Sequence, residues 1–186
     1  MKRLFLIAGH QGVHTGASKY IDEGYETIKL RDALANELKT FEYDDILKDN
    51  NQDSLTDVIK WVNDQASKQD LLISLHFNAS GCKASGTEVF VSKFCKDPST
   101  IVLAKELAST IASTIHVPLR SFATGGVKPS NRSGHSTLGI LDKTKCNSLL
   151  IEVCFCDNQF DSRQYKLYKN ELLHKLIIPI QKYLNR

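Results

Sequence analysis

No run of apolar residues in this chain approaches the ~20 that a membrane-crossing helix needs. The apolar stretch behind Met1-Lys2-Arg3, from Leu4 to Ala8, is too short for the core of a signal peptide. The sequence therefore reads as that of a protein made in the cytoplasm. Charge of one sign is also scarce: 24 Lys and Arg against 21 Asp and Glu give a formal +3, too little to argue for nucleic acid. Four prolines and ten glycines are too few for a collagen-like or linker-dominated chain, and 41% hydrophobic with 24% charged residues argues against disorder. The cysteines, Cys82, Cys95, Cys146, Cys154 and Cys156, are odd in number and lack CxxC spacing. Neither a disulfide framework nor a Cys-rich structural zinc site is indicated. There is no GxGxxG, no Walker lysine loop and no GxSxG. A Cys-His nucleophile built on Cys154 or Cys156 has no neighbouring motif to support it.

What is present fits one domain, since 186 residues suffice for a single full core. Lys2–Ala8 reads as a buried strand that empties into a loop at Gly9-His10. Leu30, Leu34 and Leu38 recur every four residues and predict a helix over about Tyr25–Leu38. Ser54 is placed to cap a second helix whose apolar stripe is Leu55, Val58, Ile59 and Val62. Leu71–Phe77 and Thr87–Ser92 follow as strands, with a helix behind Pro98-Ser99 marked by Ile101, Ala104, Ala108, Ile111 and Ile115. Residues 117–137 lack an apolar period and read as a long loop, a length that tends to be functional. Leu138–Leu141 and Leu149–Phe155 read as strands, and Leu173, Leu176, Ile177, Ile180 and Leu184 mark a closing helix with Pro179 inside it. Strands alternating with helices predict an α/β fold, a single three-layer domain over residues 1–186 with a mostly parallel central sheet of about six strands flanked by helices. Charge is uneven along it: residues 41–70 hold eight acids against three Lys, and residues 161–186 hold six Lys or Arg against two acids. That basic end reads first as a solvated helix face and second as a contact for an anionic surface.

In open α/β sheets the working groups lie beyond the carboxyl ends of the strands, so polar residues where apolar runs stop are the informative ones. His10 follows the first strand. His76 lies near the end of Leu71–Phe77, and alternation sets Ser74, His76 and Asn78 on the face opposite Ile73, Leu75 and Phe77. Glu152 sits inside Leu149-Leu150-Ile151 and Val153, where a carboxylate must be paired, protonated or near a metal. Its expected same-face neighbours, Cys154 and Cys156, read as small core residues. Two histidines and a carboxylate are a known donor set for a catalytic zinc with one open position. The acid near His10 is either Glu23 or Glu26. The other histidines, His14, His116, His135 and His174, read as exposed or structural.

Several motifs occur in an order that resembles a known family. They are Ile7-Ala8-Gly9-His10-Gln11-Gly12 with Gly16-Ala17, an acid ahead of the Leu-patterned helix, Ser74-Leu75-His76-Phe77-Asn78-Ala79, and Leu150-Ile151-Glu152-Val153. Together they resemble the zinc-dependent N-acetylmuramoyl-L-alanine amidases, peptidoglycan hydrolases of bacteria and their phages, whose signature runs Gly-His-Gly-Gly, Glu, Ser-Ile-His-Ala-Asn and Val-Glu-x-Gly-Phe. Gly86-Thr87-Glu88-Val89-Phe90, Gly126-Val127-Lys128 and Thr144-Lys145-Cys146 are similar to further family segments. The resemblance implies His10, Glu23 and His76 as ligands of Zn2+, Glu152 as catalytic acid/base, and substrate contacts from Asn78, Lys128 and Arg132. Three departures stand out: Gln11 replaces a Gly after the histidine, Cys154 replaces the Gly after the catalytic Glu, and the loop between Lys128 and Leu138 is longer than usual.

The implied reaction is hydrolysis of the amide between N-acetylmuramic acid and L-alanine, with peptidoglycan as the partner and no nucleic acid or membrane insertion. The chain would act on the cell wall after release from the cytoplasm, as an endolysin or a cell-lysis amidase does. A zinc peptidase cutting within the stem peptide, or a non-catalytic peptidoglycan-binding domain, are the rival readings.

Overall fold

The computed structural model describes residues 2–186 apart from Gln11, Val13 and His135. The Gln11 departure from the family pattern and the reading of His135 therefore lie outside the described residues. Six strands, β1 (Leu4–Ala8), β2 (Ile46–Lys48), β3 (Leu71–Asn78), β4 (Glu88–Val91), β5 (Val127–Pro129) and β6 (Asn147–Phe155), form one sheet in the order β2-β1-β3-β6-β4-β5. Every neighbouring pair is parallel except β4 against β6. Five helices flank it: α1 (Glu23–Thr40), α2 (Leu55–Gln65), α3 (Pro98–Thr114), α4 (Gly139–Asp142) and α5 (Gln159–Leu184).

The four long helices start where side chains satisfy their first free N–H groups. Asp22 accepts from Tyr25 N, Ser54 from Asp57 N, Asp97 from Ser99 and Thr100 N, and Asn158 from Asp161 N. The long helices then bury most of the stripe read from their spacing, Leu30, Leu34 and Leu38 in α1 and Val58, Ile59 and Val62 in α2, whereas Leu55, also read into the α2 stripe, is exposed. The α1, α3 and α5 stripes meet Leu71, Ile73, Leu75 and Phe77 of β3 in one core layer. On the other face Val58, Ile59 and Val62 meet Phe5, Leu72, Phe90 and Leu150. The architecture is three-layered and mostly parallel, as expected, and α5 continues through the buried Pro179.

Three expectations need correction, and one strand, β2, was not read from the sequence. Leu138–Leu141 is not a strand: residues 139–142 form the single-turn helix α4, in which Leu141 and Asp142 N–H donate to Leu138 C=O. The Asp142 carboxylate accepts from Leu138 N and Thr137 Oγ1, closing the turn from outside. Within the expected loop 117–137, Val127–Pro129 pairs with β4, and Pro129 is tolerated because β5 is an edge strand. The three-residue edge strand β2 is too short to show a period. Finally, Cys154 does not share a face with Glu152. A register shift pairs His76 with Glu152 but Asn78 with Phe155, so β6 carries one residue more than β3 there. Val153 and Cys154 both enter the core, while Phe155 returns to the Glu152 side.

On α5, Lys166 donates to Tyr20 C=O, and Lys169, Lys175 and Lys182 pair with Glu26, Glu171 and Glu106. Four of the six basic residues of this segment thus make contacts within the molecule.

Candidate metal centre and cleft

The chain leaves β1 at Ala8, whose N–H donates to Asp49 Oδ1, and Gly9 N donates to Leu75 O at 2.8 Å. Gly9 passes so near β3 that a Cβ there would stand 2.7 Å from the His76 ring. Asp49 is itself held by the buried Arg31 guanidinium at 2.7 Å. His10 follows in the left-handed region at φ 67, a conformation that a non-glycine residue keeps only where its surroundings enforce it. Gly16, at φ +75, lies against the same group: an added Cβ would meet His10 at 2.5 Å and Glu23 Oε2 at 2.6 Å.

Glu23 opens α1 and is buried. Its Oε2 accepts from Ala17 N at 2.9 Å and meets His10 Nε2 at 3.0 Å. Its Oε1 accepts from Phe77 N at 3.1 Å and lies 3.2 Å from His76 Nδ1. The three donor atoms of His10, Glu23 and His76 fall within 4.8 Å of one another, an arrangement that can hold a metal ion. His76 Nε2 meets Ser74 Oγ at 3.2 Å, an outer contact of the kind that fixes the orientation of a ligating imidazole. Burial alone would raise the Glu23 carboxyl, but the histidine contacts and the Ala17 N–H bring it down to about 2. The Glu23 contact holds His10 above its ordinary value. Glu26, the alternative acid, points elsewhere: its Oε1 accepts from Tyr165 Oη at 3.0 Å.

Glu152 stands opposite His76 in the β3–β6 register. Its Oε2 is sealed from solvent with no hydrogen-bond partner among the described residues. Burial, reinforced by the charges of Glu23 and Glu88, pushes its carboxyl up to about 8. Because β4 runs against β6, its first residue, Glu88, lies beside Glu152. Glu88 is only 3% exposed and holds two cations as ion pairs, Lys128 Nζ at 2.6 Å and Arg120 Nε at 3.2 Å. Its Oε1 accepts from Asn78 Nδ2 at 3.2 Å.

A cleft runs across the strand ends in two arms that share His10, His76, Leu138 and Leu150. One, of about 520 Å3, contains Asn78, Glu88, Arg120, Lys128, Arg132 and Glu152. The other, of about 600 Å3, contains Asp49, Asp53, Leu55, Val58 and Ile140. Of the residues singled out in the sequence, His10, Glu23 and His76 form the metal-binding cluster, Asn78, Lys128, Arg132 and Glu152 lie in the arm beside it, and Glu26 lies in neither. Glu88 and Arg120 were not singled out. Glu88 carried a usable signal, a charged residue opening the apolar run Val89-Phe90-Val91, and Arg120 carried none. His14 contacts Asp22, His174 pairs with Glu37, and the His116 ring packs on Tyr168, so these three lie outside the site.

An uncharacterized 38.4 kDa protein of Clostridium perfringens is 29% identical over 181 residues. The alignment takes in 94% of this chain, which spans about half (49%) of that curated relative. Among solved structures, an N-acetylmuramoyl-L-alanine amidase from Clostridium difficile superposes with a TM-score of 0.78 at 24% identity, over 99% of this chain and 97% of that one. The catalytic domain of the CD27L endolysin, which targets Clostridia difficile, gives 0.74 at 24% identity, over 96% and 95%. These superpositions show the shared fold. The family model of the N-acetylmuramoyl-L-alanine amidases matches residues 4–178, nearly the entire chain. The chain belongs to the N-acetylmuramoyl-L-alanine amidase family of hydrolases.

Proposed function

We propose that residues 1–186 form a zinc-dependent catalytic domain that hydrolyses the amide between the lactyl group of N-acetylmuramic acid and L-alanine in peptidoglycan. The observation that carries this reading is the convergence of His10 Nε2, Glu23 and His76 Nδ1 beside the sealed carboxyl of Glu152. The donor set fits Zn2+. Two imidazoles and a carboxylate are a known catalytic set, and His10, Glu23 and His76 each bring one donor atom to within 4.8 Å of the others, so these three would hold the ion. When bound, the ion supplies Lewis acidity to the scissile carbonyl and to the attacking water.

The protein's own groups do the rest. Glu152 accepts the water proton on its carboxylate and delivers it to the departing amine nitrogen. Its apolar surroundings favour the protonated form, which suits a group that must hold the proton between two transfers. Asn78, Lys128 and Arg132 line the arm beside it and contact the substrate. Ser74 keeps the His76 ring turned toward Glu23.

Metal analysis and wall digestion test this together. Glu152→Ala retains zinc and fold and loses hydrolysis, at least a hundredfold for a lost acid/base. Glu23→Ala loses metal, whereas Glu26→Ala keeps it. An active, fully loaded Glu152→Ala protein, or metal lost only in Glu26→Ala, overturns the assignment. A peptidase on the same site is separated by its products, which would be cut within the stem peptide.

A further inference from the structure

The two arms of the cleft differ in character, one rich in cations and the other without Lys or Arg. Apart from the histidines they share, the arm under β4 and β5 contains three cations, Arg120, Lys128 and Arg132, against two acids, Glu88 and Glu152. The arm beneath α2 and α4 contains no Lys or Arg, its Asp49 is neutralised by the buried Arg31, and it presents the apolar side chains of Leu55, Val58 and Ile140. The cations are built in. Glu88, buried behind them, holds Lys128 and Arg120, and Arg120 also lies 4.9 Å over the Phe155 ring. Arg132 is exposed at the rim.

A muramyl peptide is asymmetric in the same way. The carboxyl of muramic acid is consumed in the scissile amide, so the glycan side offers hydroxyls, N-acetyl methyls and uncharged sugar faces. The peptide side carries free carboxylates. Charge complementarity then favours one orientation, because carboxylates gain charge-assisted contacts from the Arg and Lys of one arm, whereas the uncharged glycan suits the apolar side chains of the other. Resting on the amidase reading above, we infer that the stem peptide lies in the Arg120–Lys128–Arg132 arm and the glycan strand in the Leu55–Ile140 arm, with the scissile amide between them at His10 and His76. Arg132 and Leu55 are then specificity-determining residues on opposite sides of the reacting bond.

The test uses soluble muramyl peptides that vary in peptide carboxylates (free or amidated) and in glycan length (one disaccharide or two), with kcat and KM measured on the full chain. Both residues are substantially exposed, so Arg132→Glu and Leu55→Asp leave the core packing alone. Arg132→Glu should raise KM about tenfold for free-carboxylate substrates and by much less for amidated ones. Leu55→Asp should abolish whatever advantage the longer glycan gives and leave carboxylate preference intact. If muramyl–alanine cleavage occurs but Arg132→Glu changes glycan-length dependence instead, or the protein ignores amidation, the orientation is wrong while the amidase reading stands. If the muramyl–alanine amide is not cut in any substrate, the amidase reading fails and the orientation fails with it.

Discussion

Glu23 and Glu152 are carboxylates of one site whose surroundings drive their protons in opposite directions. Glu23 accepts two backbone N–H groups and faces two histidines, so its folded pKa falls to about 2. Its contribution to stability is present above about pH 4.5 and is lost as pH falls through 2. Glu152 has burial without donors, and its folded pKa rises to about 8. Its contribution is therefore full below about pH 4.5 and is lost as pH rises through 8. In metal-free protein, Glu152→Gln should match wild type near pH 4.5 and exceed it by a few kcal/mol at pH 9, read from denaturant unfolding in chelator. A gap of equal size at both pH values would mean that this carboxyl does not titrate upward in the fold. At this scale the sequence was informative because a charge inside an apolar run must have a reason, as for Glu152. The same reasoning applies to Glu88, whose partners Arg120 and Lys128 come from distant segments that no local spacing connects.

Among elements, α4 and the segment before it depend on one side chain. Asp142 accepts from Ser92 Oγ, Ser130 Oγ, Thr137 Oγ1 and the N–H groups of Lys93 and Leu138. Burial would raise its carboxyl, but the Thr137, Ser130 and Ser92 hydroxyls hold it below its ordinary value. It thereby ties the ends of β4 and β5 to the turn that walls the cleft. Asp142→Ala should cost about 2 kcal/mol, leave zinc content unchanged and speed proteolysis within residues 117–137. Unchanged unfolding and proteolysis would show that the hub is dispensable. The long elements were legible because α1, α2, α3 and β3 repeat their period over several turns or pleats. Leu138–Leu141 offered four apolar residues, too few to separate a strand from a buried helical turn, and hydrogen bonds from Asp142 decided for the turn. The shift in β6 that sends Cys154 into the core depends on pairing with β3, which one strand's sequence does not express.

Across the whole molecule, the sheet brings three separate strand ends into one cleft. Order β1-β3-β6 sets His10, His76 and Glu152 side by side, and α1 returns over β1 to add Glu23. The alternation of strands and helices foretold that convergence at the carboxyl ends, whereas the antiparallel β4, which adds Glu88, was not foretold. The net charge of +3 is spread thinly, and the α5 lysines named above are engaged internally. The charge asymmetry within the cleft is the one that can read a substrate. Digestion of purified peptidoglycan by zinc-loaded and by chelated protein, with mass spectrometry of the released fragments, decides whether this cleft is a zinc amidase site. Free stem peptides beginning at L-alanine, lost on chelation and restored by zinc, are the expected products. Zinc-dependent cuts only within the peptide, or no release from walls by fully loaded protein, would contradict that assignment.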